Sequence, residues 1–305
     1  MTTRSFRLVL LTLVLIGLPL AASLLLAQPQ GNQALTGPSE KDVVYGVEDG
    51  QNLLMDIYRP PTTGLHPALV MVHGGGWAAG DKSGDKEIAT NLAGRVGFAC
   101  FSINYRLAPK YPYPAAVLDS ARAVRWVRAH AAEYGVDPDR VAAWGGSAGG
   151  HLVLMLGVIK PDEFQTPDDP NKALSAKVRC VVDLFGPSDL TRPMEEWPPA
   201  APPIAYNFMA SKPNEAPEKW AEASPITHVT KDASPTLLIH GEKDELVPLQ
   251  QSELMKAALD KVGVDNELVV VKNAGHGFKG ADDGEVMKTM MHAVMWLMGH
   301  LKPRV

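Results

Sequence analysis

Residues 144–150 read Trp-Gly-Gly-Ser-Ala-Gly-Gly, and Gly145, Ser147 and Gly149 fit the spacing G-x-S-x-G. An apolar stretch, Val-Ala-Ala-Trp, comes before Ser147 and a helical stretch, residues 151–159, comes after it. Strand, tight turn and helix in that order lift a serine hydroxyl above a sheet edge. Flanking glycines leave room for the unfavourable backbone of such a turn, and at the helix N-terminus the amide of Ala148 can face an anion. A serine hydroxyl alone is a poor nucleophile. It needs a histidine base held by a carboxylate, in the chain order Ser, acid, His. Asp244 follows the apolar run Leu237-Leu238-Ile239, and His276 follows Val269-Val270-Val271 and stands between two glycines. Both lie just past strand ends, where catalytic groups collect in open α/β sheets. Taken singly, they would be ordinary loop residues. The serine turn and the chain order make them a set. Glu242, Glu245 and Asp189 compete for the acid's place, and Asp244 ranks first by its distance past the seventh expected strand.

A second glycine run, His73-Gly74-Gly75-Gly76-Trp77, follows the apolar residues 68–72. Glycines let backbone amides turn inward, and such amides bind the oxyanion of a tetrahedral intermediate. Gly75 and Gly76 are expected to donate together with Ala148. Each such donor is worth about 10²–10³ in rate. His73 reads as a brace for the loop. Trp77 reads as either a pocket wall or a core anchor, and Trp197 is a further candidate for substrate contact.

These groups need a rigid frame. Strands are expected at residues 43–47, 53–58, 68–72, 99–104, 141–144, 178–185, 236–240 and 267–272. Several are continuously apolar, as strands buried on both faces should be. Helical periodicity falls at residues 115–134, 148–158, 249–262 and 284–301. Strands alternating with helices predict a mostly parallel eight-stranded sheet covered on both faces, with the first two strands forming an antiparallel hairpin at one edge. Residues 191–224 interrupt this rhythm with seven prolines and four large aromatics. They read as an insertion, either a lid or a surface excursion packed on its own aromatics. The methionine-rich residues 287–298 read as an adaptable helix core face.

The combination resembles the carboxylesterases of the α/β-hydrolase superfamily, near the bacterial feruloyl-esterase-like and hormone-sensitive-lipase-like groups. The likeness rests on HGGGW at 73–77, YRLAP at 105–109, YPYPAAVLD at 111–119, GGSAGG at 145–150, HGEKDELVP at 240–248 and GHGF at 275–278. It runs from about residue 42 to the C-terminus. It implies a triad of Ser147, Asp244 and His276, and an oxyanion hole of Gly75, Gly76 and Ala148. Gly146 stands where hormone-sensitive-lipase relatives commonly carry aspartate, and no helical cap is read before residue 43. On both counts the feruloyl-esterase-like group is nearer.

Tyr105 and Arg106 are expected to brace the glycine loop, with Asp119 pairing such an arginine. His151, His228, His292 and His300 show no metal-ligand spacing, and no phosphate loop or dinucleotide fingerprint is present. Ester hydrolysis by this route needs no metal or organic cofactor. The chain has 305 residues, 46% hydrophobic and 21% charged, with a formal charge of −5. That composition excludes a disordered chain and gives no footprint for nucleic acid. The length suffices for a large core.

Residues 1–27 carry Arg4 and Arg7 ahead of an apolar run with small residues at its end, the layout of a secretory signal peptide. The rival reading is a membrane anchor over residues 8–27. Residues 28–40 read as a disordered leader, and residues 41–305 as the catalytic domain. Export and the resemblance together favour a small-molecule or carbohydrate ester as substrate, with acetyl or feruloyl groups. The alternatives are a serine peptidase or amidase of prolyl-oligopeptidase-like type, and a non-catalytic binding protein on the same fold. Cys100 and Cys180 sit in apolar strand-like runs and read as free core thiols.

Overall fold

The computed structural model describes residues 35–303. Eight strands form one sheet: β1 (Glu40–Glu48), β2 (Gln51–Tyr58), β3 (His66–Val72), β4 (Ala99–Ile103), β5 (Val136–Gly146), β6 (Val181–Leu184), β7 (Thr236–Gly241) and β8 (Asn266–Val271). Their order across the sheet is β1-β2-β4-β3-β5-β6-β7-β8. β2 runs antiparallel to β1 and β4, and the neighbours from β4 through β8 are parallel. This is the open sheet of an α/β-hydrolase.

The continuous apolar runs of the central strands have a direct cause. Ala68, Val70 and Val72 of β3 point into one apolar cluster, and Leu69 and Met71 point into the other. Ala143 and Leu238 join the first cluster, while Ala142, Trp144, Leu237 and Ile239 join the second. Both faces are buried, so side-chain alternation does not produce a polar face.

Among the described residues there are eight α-helices: α1 (Lys86–Asn91), α2 (Ala115–Ala129), α3 (Ala131–Tyr134), α4 (Ala148–Val158), α5 (Ala201–Met209), α6 (Pro217–Glu222), α7 (Gln250–Val262) and α8 (Asp283–His300). Residues of α2, α4 and α7 fill the first cluster, and residues of α1 and α8 fill the second. Cys100 and Cys180 are buried free thiols.

Several boundaries differ from the sequence reading. The helix expected over residues 115–134 breaks at His130, which leaves helical backbone (φ −101°, ψ 13°) and restarts the chain as α3. The strand expected from residue 178 begins only at Val181. The leader expected to be disordered through residue 40 already packs on the domain. Leu35 lies against the second cluster, the Ser39 amide donates to the Ile57 carbonyl, and Glu40 opens β1. The signal-peptide reading of residues 1–27 and the anchor reading of 8–27 lie outside the described residues.

The insertion at 191–224 holds α5 and α6. Its prolines fall where helices accept them: Pro202 in the first turn of α5 and Pro217 opening α6. Trp197, Phe208, Met209 and Trp220 are buried in the main core rather than on one another alone. The methionine-rich helix is a partial correction. Met290 is buried with Ala293 and Leu297, but Met291, Met295 and Met298 are exposed, because α8 offers the sheet only one stripe.

Candidate active site

Ser147 sits between β5 and α4 with φ 57° and ψ −121°, a strained backbone for a non-glycine residue. Its amide donates to the Leu184 carbonyl at 2.8 Å, and its carbonyl accepts from the His151 amide at 3.0 Å. The turn is tight because β5 and α4 nearly touch. A Cβ on Gly149 would drive into the Val72 carbonyl oxygen, and one on Gly145 into the Gly149 carbonyl.

His276 Nε2 lies 2.9 Å from Ser147 Oγ, and His276 Nδ1 lies 2.8 Å from Asp244 Oδ2. A carboxylate only accepts, so Nδ1 carries the proton and donates. Nε2 of the neutral ring is then free to accept from the serine hydroxyl. The His276 side chain is 20% exposed, while that of Asp244 is fully buried. Burial opposes charge on Asp244. The nearby His240 ring at 3.5 Å, the His276 hydrogen bond and amide donation from Leu246 outweigh it, and its carboxyl stays well below the usual range. Oδ1 accepts from the Leu246 and Val247 amides at 2.9 and 2.8 Å.

The competing acids are engaged elsewhere. Glu242 accepts from the Asn273 amide, Asp189 from Thr191, and Glu245 from the backbone amide of His276 at 3.2 Å. Glu245 therefore props the histidine's backbone rather than its ring.

The glycine loop faces Ser147 from β3. Gly75 and Gly76 have φ of 116° and 60°. The amides of Gly75, Gly76 and Ala148 make no hydrogen bond to another described residue. The loop is braced from below. His73 stacks on Tyr105 with ring centroids 4.4 Å apart, and the Tyr105 hydroxyl donates to the His73 carbonyl at 3.0 Å. Arg106 holds buried Asp119 with Nε at 3.0 and 3.1 Å and Nη2 at 2.7 Å. Breaking such a buried pair by removing one partner costs about 3–5 kcal/mol.

Trp77 is the core anchor of the two alternatives, not a pocket wall. It is 4% exposed and stacks on Phe208 of α5 with centroids 4.2 Å apart. Trp197 is likewise buried at 8%. Both rings spend their surface on the core, so the expectation that they contact substrate is corrected.

Four residues have surroundings that the sequence reading did not foresee. Phe185, itself at φ 45°, sets its ring edge-to-face against His276 at 4.9 Å and Phe278 at 5.0 Å. His240 is buried, bonds Ser252 Oγ and the Val247 carbonyl, and lies 3.5 Å from Asp244 Oδ2. Asp183 is buried with Oδ2 unpartnered, and burial lifts its carboxyl to about 7 against the opposing pull of His240. His151, one turn beyond Ser147, is fully buried; burial lowers its imidazole to about 4, so it is neutral near pH 7. The HGEKD segment hinted at His240; nothing local marked the other three.

A cavity of about 640 Å³ opens beside the loop, lined among others by His73, Asn104, Tyr105, Leu107 and Tyr111. Ser147, Asp244 and His276 are not part of its lining. Among the described residues no cluster of histidine, cysteine and acidic side chains could hold a metal ion.

An open, mostly parallel sheet with a serine turn after β5 and a histidine–aspartate pair beyond β7 and β8 is the architecture of the α/β-hydrolase fold. The family model BD-FAE matches residues 55–259, more than half of the chain. The chain belongs to this family and has the α/β-hydrolase fold. It is 36% identical over 220 residues to the probable carboxylic ester hydrolase LipM of Mycobacterium tuberculosis, a match covering 69% of this chain and 49% of the relative. It is 33% identical over 241 residues to the esterase LipQ of the same organism, covering 78% and 56%. The chain thus spans about half the length of the curated relatives it matches. Among solved structures, it resembles a truncated carbohydrate esterase from gut microbiota, with TM-score 0.72 and 28% identity, covering 86% of this chain and 99% of that one. It also resembles a thermophilic esterase of Thermogutta terrifontis solved with butyrate bound, with TM-score 0.74 and 28% identity, covering 89% and 98%.

Proposed function

We propose that this chain hydrolyses carboxylic esters through a serine acyl-enzyme. The observation that carries the reading is the unbroken chain Asp244–His276–Ser147, with both links under 3 Å. Ser147 Oγ attacks the ester carbonyl while His276 Nε2 takes its proton. The carbonyl oxygen becomes an oxyanion and accepts from the amides of Gly75, Gly76 and Ala148, which have no described acceptor. The tetrahedral intermediate expels the alcohol, and His276 returns the proton to its oxygen. A water then attacks the acyl-enzyme, with His276 again as base, and releases the acid and Ser147. Asp244 holds the ring with Nδ1 protonated and stabilises the imidazolium.

The substrates proposed are short-acyl esters or carbohydrate esters of the acetyl or feruloyl kind. The resemblance to a carbohydrate esterase and to an esterase that holds butyrate supports this class. The apolar run in residues 1–27 supports export, where such esters are met.

The test is hydrolysis of p-nitrophenyl acetate, butyrate, octanoate and palmitate by the wild type and Ser147→Ala. Expected is a preference for acetate or butyrate and its loss in the variant. A preference for palmitate overturns the substrate class. Turnover of aminoacyl amides with no ester turnover points instead to a peptidase. A folded protein that neither hydrolyses esters nor labels with a fluorophosphonate is a binding protein.

A further inference from the structure

Trp77 holds a conformation that its side chain disfavours. Its φ of 56° is left-handed, which is unfavourable for an L-residue. Gly75 and Gly76 just before it are also at positive φ. A run of this kind persists only where its surroundings over-determine it. The Trp77 carbonyl accepts from the Ala108 amide at 2.8 Å, and its indole stacks on Phe208. The indole Nε1–H donates to His151 Nδ1 at 3.2 Å.

The other face of His151 completes a relay. Its Nε2 lies 2.7 Å from the carbonyl of Ala223, at the end of the 191–224 insertion. A carbonyl only accepts and an indole N–H only donates, so one neutral tautomer satisfies both: Nε2 protonated, Nδ1 bare. The imidazole also meets the rings of Trp77 and Phe208 edge-on, at 5.2 and 5.5 Å. The insertion also reaches the loop through Phe208, stacked on Trp77, and through Ile204, whose Cγ2 lies 2.7 Å from where a Cβ on Gly76 would be.

We propose that His151 is a positioning residue: it clamps Trp77 to the insertion and so sets the aim of the Gly75 and Gly76 amides at the substrate's carbonyl oxygen. The inference rests on the reading of those amides as the oxyanion hole. Without the clamp, Trp77 is held only by the Ala108 amide and the Phe208 ring; its left-handed backbone gains freedom, and the two preceding amides gain it too. The 191–224 segment then acts as the fixed abutment of the loop. Misaimed donors weaken the transition state and leave ground-state binding nearly untouched. A histidine that merely fills the core predicts lower stability with unchanged kcat per folded molecule.

The experiment compares kcat, KM and Tm on p-nitrophenyl acetate for His151→Phe, His151→Gln, Trp77→Phe and the double variant Trp77→Phe/His151→Phe. His151→Phe is expected to lower kcat about 10- to 100-fold with KM within threefold, part of the roughly 10²–10³ lost when a donor is removed outright. His151→Gln can both accept and donate, and is expected to recover kcat to within about fivefold of wild type. Trp77→Phe should match His151→Phe, and the double variant should lose no more than either, as for two ends of one contact. Wild-type kcat in folded His151→Phe overturns the proposal. So do losses that multiply in the double variant, or a kcat that glutamine does not restore. If His151→Phe does not fold, Trp77→Phe decides, and wild-type kcat there overturns the clamp. A Ser147→Ala protein that still hydrolyses ester removes the triad reading itself, a separate failure.

Discussion

Two histidines flank Ser147, and their surroundings give them opposite work. His276 is 20% exposed at its side chain and has a buried carboxylate on Nδ1. That partner stabilises the ring when it takes a proton. His151 is fully buried between an indole N–H and a backbone carbonyl. Burial and the facing N–H both oppose a second proton, so the ring is a fixed connector. Spacing along the chain does not explain the two roles: His151 is only one helical turn from Ser147, yet it is His276 whose Nε2 lies 2.9 Å from Ser147 Oγ. What separates them is the group on the second ring nitrogen and the access of water.

The largest effect expected is on the His276 side. Ser147→Ala should lower kcat by about 10⁶, and Asp244→Asn by about 10⁴ through loss of the correct tautomer. Both are read by single-turnover kinetics on p-nitrophenyl acetate. An Asp244→Asn loss below tenfold would mean that Glu245 or His240 can take over the ring, which breaks the comparison.

The His151 side should show first in stability against pH. Its folded pKa of about 4 lies below the unfolded value, so the unfolded chain binds the extra proton. The stability contributed by neutral His151 is present above about pH 6.5 and lost as pH falls toward 4, by on the order of 3 kcal/mol. Asp183 acts in the opposite sense, because its raised pKa makes the folded state the stronger proton binder between about pH 4 and 7. The two are separated by urea titrations of wild type and His151→Gln at pH 7.5, 5.5 and 4.5. The advantage of the wild type over the variant should shrink with falling pH. A constant gap would sink the buried-neutral reading.

Asp183→Asn should stabilise the protein by roughly 1–3 kcal/mol at pH 8, where it removes a buried, half-partnered charge, and by less at pH 5. The same titrations read it, and destabilisation at pH 8 would show that the charged form is used. The smallest effect expected is Glu245→Gln. Its side chain still accepts from the His276 amide, so kcat should change less than threefold. A larger loss would mean that the charge, not the prop, matters to His276.

Much of the site was legible because its signals are local or ordered along the chain. Gly145 and Gly149 beside Ser147 mark a turn where β5 and α4 almost collide. Asp244 and His276 follow strands whose apolar runs are continuous because both faces are covered. The roles of Trp77 and Trp197 were not legible, since a tryptophan looks the same lining a pocket or filling a core. The methionines of α8 misled for a related reason: they occur on every side of the helix, and only packing chose Met290 over Met295.

By itself the sequence determined the class of sheet, the turn that carries Ser147, the order of acid and base, and the glycines of the facing loop. These follow from side-chain periodicity, from the steric freedom of glycine and from the few connections an open parallel sheet allows. The tertiary structure decided which carboxylate lies within hydrogen-bond reach of His276 Nδ1. It also joined Trp77 to His151 across 74 positions and His151 to Ala223 across 72. Hydrogen bonds between residues so far apart leave no period or local spacing behind them, so only the folded chain could show them.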